Sequence, residues 1–210
     1  IWAGDTATEV IQSSGSASDY SSRSFFGRVN YVYADRYLFE ANLRADGSSR
    51  FAKQSRWGFF PSFSAGWRIE QESWMKNSGF DLLKLRASWG MLGNNSIGNY
   101  DYQATYKAHN YSFNNVLVNG LAVSSFANNA LRWEATTSTD VGLDIGVLNN
   151  RLTAEVDVYN KVTDGILYRP TIYLTAGTAT APYANIAEVT NRGVELTLGW
   201  RDSVKDFHYS

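Results

Sequence analysis

The chain has 210 residues and a formal net charge of −1 at pH 7, so no overall positive charge indicates a nucleic-acid partner. It contains no cysteine, which excludes disulfides, zinc–thiolate sites and thiol catalysis. Aromatic residues make up 15% of the chain, yet no apolar run approaches the roughly 20 residues of a spanning helix, which excludes a helical membrane protein.

Taken in chain order, the pattern predicts strands with little helix. The Ser-rich run at 13–18 favours a loop, and we predict an extracellular loop over 1–24. One or two helical turns are predicted over 71–76, and Pro61 is expected to cause a β-bulge because it lacks an N–H group. Strands are predicted near 25–34, 37–46, 57–68, 82–90, 133–148, 151–163 and 190–202, followed over 203–210 by a turn and the start of another strand.

Each predicted strand alternates apolar and polar residues with period two. In residues 37–46, for example, Phe39 and Leu43 fall on one face and Glu40 and Arg44 on the other. The polar faces carry too many charges for a dry core, so a wet interior or a polar plug is expected beside them. The residues predicted to face this interior are Glu40, Asn42, Arg44, Asp46, Arg68, Arg86, Asp144, Glu155 and Asp157.

The connections alternate in length. Ala34-Asp35-Arg36 and Asn149-Asn150 are predicted tight turns, whereas 47–56, 91–132 and 164–189 are long loops. Short turns at one end and long loops at the other are typical of outer-membrane β-barrels. Within the longest loop, a further hairpin is suggested by Thr105, Tyr106, Tyr111 and Phe113.

Aromatic residues collect near both ends of the apolar faces, where the rings of a barrel meet the lipid headgroups. The predicted upper belt consists of Trp57, Phe59, Trp89 and Trp133, and the predicted lower belt of Tyr31, Tyr33, Tyr37, Trp67 and Trp200.

These patterns predict an all-β fold, in which residues 25–202 form a wall segment of a large antiparallel transmembrane β-barrel. Seven strands leave two unpaired edges, which hydrocarbon does not tolerate, so we expect the chain to be an internal piece of a longer protein. Two alternatives are a soluble β-sandwich that binds carbohydrate and a structural outer-membrane barrel without transport activity.

A series of short motifs also occurs in a specific order over residues 25–202: RYLFEA (36–41), RADGSSRF (44–51), WGFFPS (57–62), LKLRASWG (83–90), GNN (93–95), LRWE (131–134), GLD (142–144), NRLT (150–153), YNK (159–161) and NRGVEL (191–196). In this order and spacing they resemble the SusC/RagA family of TonB-linked outer-membrane transporters.

The resemblance implies a plugged barrel of about 22 strands in the outer membrane of a Gram-negative bacterium. It also implies import of oligosaccharides or peptides, energised by the TonB complex through an N-terminal coupling segment and assisted by a SusD-like surface lipoprotein. The plug and the coupling segment are absent from the printed sequence, so about seven strands of the wall are expected here.

Little in the sequence indicates an enzyme or a cofactor site. Glu155 and Asp157 share a strand face, but such pairs arise by chance on a charged wall. His109 and His208 have no partners at metal-ligand spacing, so no metal and no cofactor are predicted.

Two loop segments offer groups that could contact a substrate. Residues 46–50 are expected to form a turn in which Arg50 pairs with an interior acid, with contact to substrate or plug as the alternative. In the long loop 91–132, amide and aromatic groups suited to sugar binding are Asn94, Asn95, Tyr100 and Tyr102.

Overall fold

The structure is a computed structural model that describes residues 15, 17–177, 179–204 and 207–209. Most of the predicted loop 1–24 therefore lies outside the described residues, as do residues 205, 206 and 210. The strands are β1 (Ser22–Tyr33), β2 (Tyr37–Ser48), β3 (Trp57–Arg68), β4 (Phe80–Asn94), β5 (Thr105–Phe113), β6 (Val116–Ser125), β7 (Glu134–Val147), β8 (Leu152–Tyr168), β9 (Ala184–Trp200), β10 (Asp202–Val204) and β11 (Phe207–Tyr209).

Seven strands form one antiparallel sheet in the order β1-β2-β3-β4-β7-β8-β9. The remaining strands form two small sheets, β5 with β6 and β10 with β11. Among the described residues no second large sheet packs against the first, which contradicts the β-sandwich alternative. No helix in this part of the chain is long and apolar enough to cross a lipid bilayer.

The tight turns have positive φ angles at their central residues, as primed hairpin turns require. Ala34 and Asp35 have φ angles of 50° and 53°, and Asn149 and Asn150 have φ angles of 60° and 56°. Positive φ at both central positions matches the twist of the flanking strands. Asn114 and Asn115 adopt the same backbone between β5 and β6, so the suggested hairpin is present inside the longest loop.

The strand ends differ from the predicted ranges mainly at the side of the sheet that carries the long loops. β4 runs to Asn94, β8 runs to Tyr168, and β9 starts at Ala184, so both long loops are shorter than predicted. The helical prediction at 71–76 corresponds to two separate helical turns, Ile69–Gln71 and Ser73–Met75.

The bulge predicted at Pro61 is wrong. Pairing between β2 and β3 continues without a shift through Leu43 opposite Pro61. On the other side, pairing between β3 and β4 ends at Ser62 opposite Gly90. Pro61 therefore lies just beyond the doubly paired part of β3, where a missing N–H group disturbs the ladder least.

Most of the buried core of the described residues lies in the long connections between strands, and only Phe60 on β3 adds a buried hydrophobic side chain from the large sheet. Phe51, Ile97 and Leu131 form a cluster in which Phe51 and Leu131 are 0% exposed. Tyr102, Trp133, Leu167 and Tyr183 pack around this cluster. The cluster joins the β2–β3, β4–β5, β6–β7 and β8–β9 connections, and so fixes the extracellular rim above the sheet.

Candidate functional site: the polar face of the sheet

The strand register separates the large sheet into an apolar and a polar face. Val29, Ala41, Phe63 and Trp89 pair in succession across β1 to β4 and form an apolar row. The adjacent row contains Asn30, Glu40, Ser64, Ser88 and Asp140, all polar. Because paired residues share a face, the alternation in each strand becomes a continuous polar surface.

An ion network crosses three strands on this polar face. The guanidinium of Arg86 on β4 donates to Asp144 on β7 at 2.8 Å and to Asp157 on β8 at 3.0 Å. The Lys84 ammonium lies 3.9 Å from the same Asp144 carboxylate. Charged hydrogen bonds of this kind are stronger than neutral ones, so the network holds β4, β7 and β8 in register.

The network depends on a glycine in its centre. Arg86, Gly142 and Asp157 are successive partners in one row of the sheet. A Cβ atom at position 142 would lie 2.1 Å from Asp157 Oδ1 and 2.8 Å from Arg86 Nη2. Gly142 therefore leaves the space through which the Arg86 side chain passes over β7 to reach Asp157 on β8.

We expect Arg86→Met to destabilise the folded barrel by about 1–3 kcal/mol, because Asp157 then lacks its counter-charge and Asp144 keeps only the more distant Lys84. The value is below the ~3–5 kcal/mol of a fully buried pair, since the Arg86 side chain is 31% exposed. The measurement is the urea midpoint of the purified receptor. Adding Asp157→Asn should recover part of the loss, whereas Arg28→Met, at a more exposed pair, should have little effect. Equal midpoints for both arginine variants would contradict this role for the network.

Nearer the extracellular side, the polar face forms a concave region of about 690 Å³. Its lining includes Asn42, Arg44 and Asp46, which the sequence predicted to face the interior. Asn42 donates to Glu40 at 2.8 Å, and Arg44 donates to Asp46 at 2.6 Å. Most charges in this region are thus paired, which leaves a polar wall with a small net charge.

The other two predicted interior residues lie apart from this region. Arg68 is at the periplasmic end of β3, where it donates to Glu70 at 3.0 Å. Glu155 is exposed and pairs in register with Asp144 on β7 and with Thr197 on β9.

The four predicted loop contacts are engaged within the chain. Asn94 donates to Glu134 at 3.0 Å, and Asn95 donates to Ser48 at 3.1 Å. The Tyr100 hydroxyl accepts from the backbone N–H of Asp19, and Tyr102 packs on the buried cluster. These contacts build the extracellular rim, and contact of these residues with a substrate stays a prediction.

Arg50 pairs with no acid among the described residues, which contradicts the expected ion pair. Its guanidinium stacks on the Tyr20 ring at 4.6 Å and donates to Asn99 at 3.3 Å and to the Asn95 carbonyl at 3.1 Å. A hydrogen bond from Asn95 lowers the pKa of the Tyr20 hydroxyl, and burial opposes this effect. The turn at 46–50 thus ties the segment before β1 to the loop after β4.

Three residues of the predicted lower belt lie side by side on the apolar face of the sheet. Rings stack in the row Tyr33, Tyr37 and Trp67, with 6.3 Å between the centroids of each neighbouring pair. Tyr31 lies on the same face of β1, and Trp200 ends β9 with its side chain exposed. Contact of these rings with lipid headgroups stays a prediction.

The upper belt differs from the prediction at two tryptophans. Trp57 stacks with Phe25, and Phe59 is exposed on the same apolar face. Trp89, however, pairs with Phe63 in the middle of β3, because β4 continues to Asn94.

Trp133 is not on the apolar face, so its predicted place in the belt is wrong. It precedes β7 and packs against Phe51 at 5.2 Å and Phe60 at 5.4 Å between ring centroids. Its indole N–H donates to the Arg56 carbonyl at 3.2 Å. Buried loop contacts, formed by residues distant in sequence, determine its position.

Comparison with known proteins decides the family. The model of the TonB dependent receptor-like β-barrel matches residues 2–210. The chain belongs to the TonB-dependent receptor β-barrel family. The predicted outer-membrane location and the predicted barrel segment are therefore confirmed.

Two relatives show which group of TonB-dependent receptors this segment resembles. It is 39% identical over 183 residues to TonB-dependent receptor P39 of Formosa agariphila, which covers 87% of this chain and 17% of the relative. It is 38% identical over 191 residues to TonB-dependent receptor SusC of Bacteroides thetaiotaomicron, which covers 88% of this chain and 19% of the relative. The resemblance to the SusC/RagA family is confirmed.

Solved structures of outer-membrane receptors also match this segment. The RagAB peptide importer in its closed-closed state matches with a TM-score of 0.77 and 32% identity, over 89% of this chain and 20% of that one. The siderophore receptor PirA from Pseudomonas aeruginosa shares the fold, with a TM-score of 0.56 and 14% identity. The segment thus spans about one fifth of the length of SusC and of the RagAB chain.

Proposed function

We propose that the complete receptor imports oligosaccharides or peptides across the outer membrane, energised by TonB through a part of the protein outside this segment. The observation that carries this proposal is that the sequence identity is higher to a peptide importer of known structure than to a siderophore receptor of known structure. The segment is 32% identical to the RagAB peptide importer but 14% identical to the PirA siderophore receptor. The proposed activity is transport without catalysis.

The polar face supports a solute that is hydrophilic but not highly charged. Hydroxyl and amide groups such as Ser62, Ser64 and Asn42 line the concave region. The nearby charges are paired, as in Arg28 with Glu40 and Arg44 with Asp46. Sugar hydroxyls and peptide groups can exchange hydrogen bonds with such a wall, whereas a solute with many charges would find little opposite charge left unpaired.

The β5–β6 hairpin supports a surface partner. Apolar side chains are exposed on both faces of this two-stranded ribbon, with Leu121 78% exposed on one face and Phe113 64% exposed on the other. A two-stranded hairpin is marginally stable alone, and contiguous exposed apolar groups mark interaction sites. We propose that a SusD-like lipoprotein covers one face of the hairpin.

The test is uptake by cells that differ only in the receptor gene. Fluorescent neutral oligosaccharides and short peptides are supplied separately, and cell-associated label is measured with and without a protonophore. We expect deletion of the gene to abolish uptake of one solute class and the protonophore to have the same effect. Uptake that is unchanged by deletion would favour the structural-barrel alternative.

A second arm tests the partner. Leu117→Ser combined with Leu121→Ser should reduce the amount of SusD-like lipoprotein that purifies with the receptor, whereas Lys107→Ser on the opposite face serves as the matched control. Equal retention of the lipoprotein by both variants would contradict the proposed contact while leaving import itself untouched.

A further inference from the structure

The connection between β3 and β4 is longer than the other periplasmic turns, and it folds back along the apolar face of the sheet. The Glu72 carboxylate accepts hydrogen bonds from the Tyr37 hydroxyl at 2.7 Å and from the Trp67 indole at 3.0 Å. Arg36 donates to the same carboxylate at 2.7 Å. Glu72 is thus fixed to side chains of the apolar face, whereas Glu70, at the start of the same connection, accepts from Arg68 on the polar face.

Tyr37 and Trp67 show which side of the wall the turn occupies. They pair in register and stack with Tyr33. They share the face of Phe39 and Ala41, opposite to the face of Glu40 and Arg44. Since the wall lies in the outer membrane, Glu72 must lie on its lipid side, at the periplasmic end of the strands.

The buried Glu72 carboxylate is stable at this position because its neighbours satisfy its hydrogen bonds and balance its charge. Three donors satisfy its oxygen atoms, and the Arg36 charge neutralises it. The hydrogen bond from Tyr37 is the first cause that lowers the pKa of Glu72, followed by that from Trp67. The rings and the turn therefore form a neutral unit, which can approach a bilayer at low electrostatic cost.

Trp74 and Lys76 lie two and four residues after Glu72 in the same connection. Two residues of chain span at most about 7 Å, so the Trp74 backbone lies within that distance of the backbone of Glu72, which is bonded to the ring row. Its side chain is 66% exposed, and Lys76 is exposed as well. A large exposed indole beside a cation suits the boundary between acyl chains and phosphate groups.

We propose that residues 72–76 form an interfacial segment that rests on the inner-leaflet phospholipids of the outer membrane. In this arrangement Trp74 inserts between the headgroups and Lys76 faces their phosphates. The segment continues the apolar-face row Tyr33, Tyr37 and Trp67, which is predicted to meet the headgroups, and this continuity favours phospholipid as the occupant. The proposal goes beyond import, because it concerns how the receptor is seated in the membrane.

The test places a nitroxide spin label at position 74 of the full-length receptor, in a cysteine-free background reconstituted in phospholipid nanodiscs. Trp74→Cys carries the label. Val194→Cys, on the apolar face of β9, is the lipid reference, and Lys53→Cys, exposed in an extracellular loop, is the water reference. The ratio of collision rates with oxygen and with a nickel chelate is measured for each label.

We expect the ratio at position 74 to lie above that at 53 and to approach that at 194. A ratio equal to that at 53 would overturn the proposal, because the segment would then be in water. Shielding of position 74 from both collision partners would overturn it as well, because the segment would then contact protein. Neither outcome depends on whether the receptor imports a solute.

Discussion

Replacing Phe51 by alanine is expected to loosen the extracellular rim while the large sheet stays folded. Phe51 is fully buried and packs against Leu131, Ile97 and the Trp133 ring. Truncation of a buried phenylalanine costs about 3–5 kcal/mol. The cluster joins four loop connections and touches the sheet only near the strand ends, at Leu167 and through Trp133 at Phe60, so the cost should appear mainly as local opening of those connections.

The measurement is limited proteolysis of receptor-containing outer-membrane vesicles, followed by identification of the cleavage sites. We expect much faster cleavage between β4 and β7 in the Phe51→Ala variant, together with an unchanged heat-modifiable band on electrophoresis. Phe113→Ala is the matched control, because Phe113 is an exposed phenylalanine outside the cluster. Cleavage as slow as in the parent protein would show that the cluster does not hold the rim.

Glu72→Leu should cause the largest loss at the periplasmic end. Three donors, on Arg36, Tyr37 and Trp67, then lose their common acceptor. Unsatisfied donors at a partly buried position keep the full cost of their lost hydration. We expect the variant to lose its heat-modifiable folded band at a clearly lower temperature than the parent protein, with Glu188→Leu, at an exposed position of β9, as the control.

The same carboxylate predicts a dependence on pH. Hydrogen bonds from Tyr37 and Trp67, followed by the one from Arg36, lower the pKa of Glu72 in the folded protein below its ordinary value of 4.5. Its contribution to stability is therefore complete above that value and is lost as the pH falls through the lowered pKa. Glu72→Gln should flatten the acid side of the stability profile between pH 5 and the acid limit of folding, and an unaltered profile would contradict this assignment.

The alternation of residue types was enough to predict the wall. Period-two patterns of the kind seen in 37–46 placed all seven strands of the large sheet, and the predicted turns at 34–36 and 149–150 close two of its hairpins. The polar face followed directly, because Arg86, Asp144 and Asp157 alternate with apolar neighbours along their strands. A local repeat dictates these features, so the sequence displays them without knowledge of distant contacts.

Features that depend on distant contacts were missed. The sequence around Trp133 continues the alternation of β7, but Phe51 and Phe60 hold its ring elsewhere. Arg50 finds Tyr20 and Asn99, which no local pattern connects with it. Glu72 lay unremarked within the predicted helical turns at 71–76, because Arg36 and Tyr37, two of its donors, are distant in sequence. Three donor groups around one acid could be recognised only after the strands were paired.

The order of the large sheet also has a consequence for how the barrel is made. Each strand pairs with the one that precedes it among the strands of the sheet, so each pairing step closes only a short loop, apart from the joins of β4 to β7 and of β8 to β9. Assembly can thus proceed from one hairpin to the next, with the most recently added strand serving as the template for its successor. The joins of β4 to β7 and of β8 to β9 interrupt this progression, because a longer connection must be closed before the next strand can pair. We therefore expect the rate of biogenesis to respond more to the lengths of these two connections than to changes in the short turns.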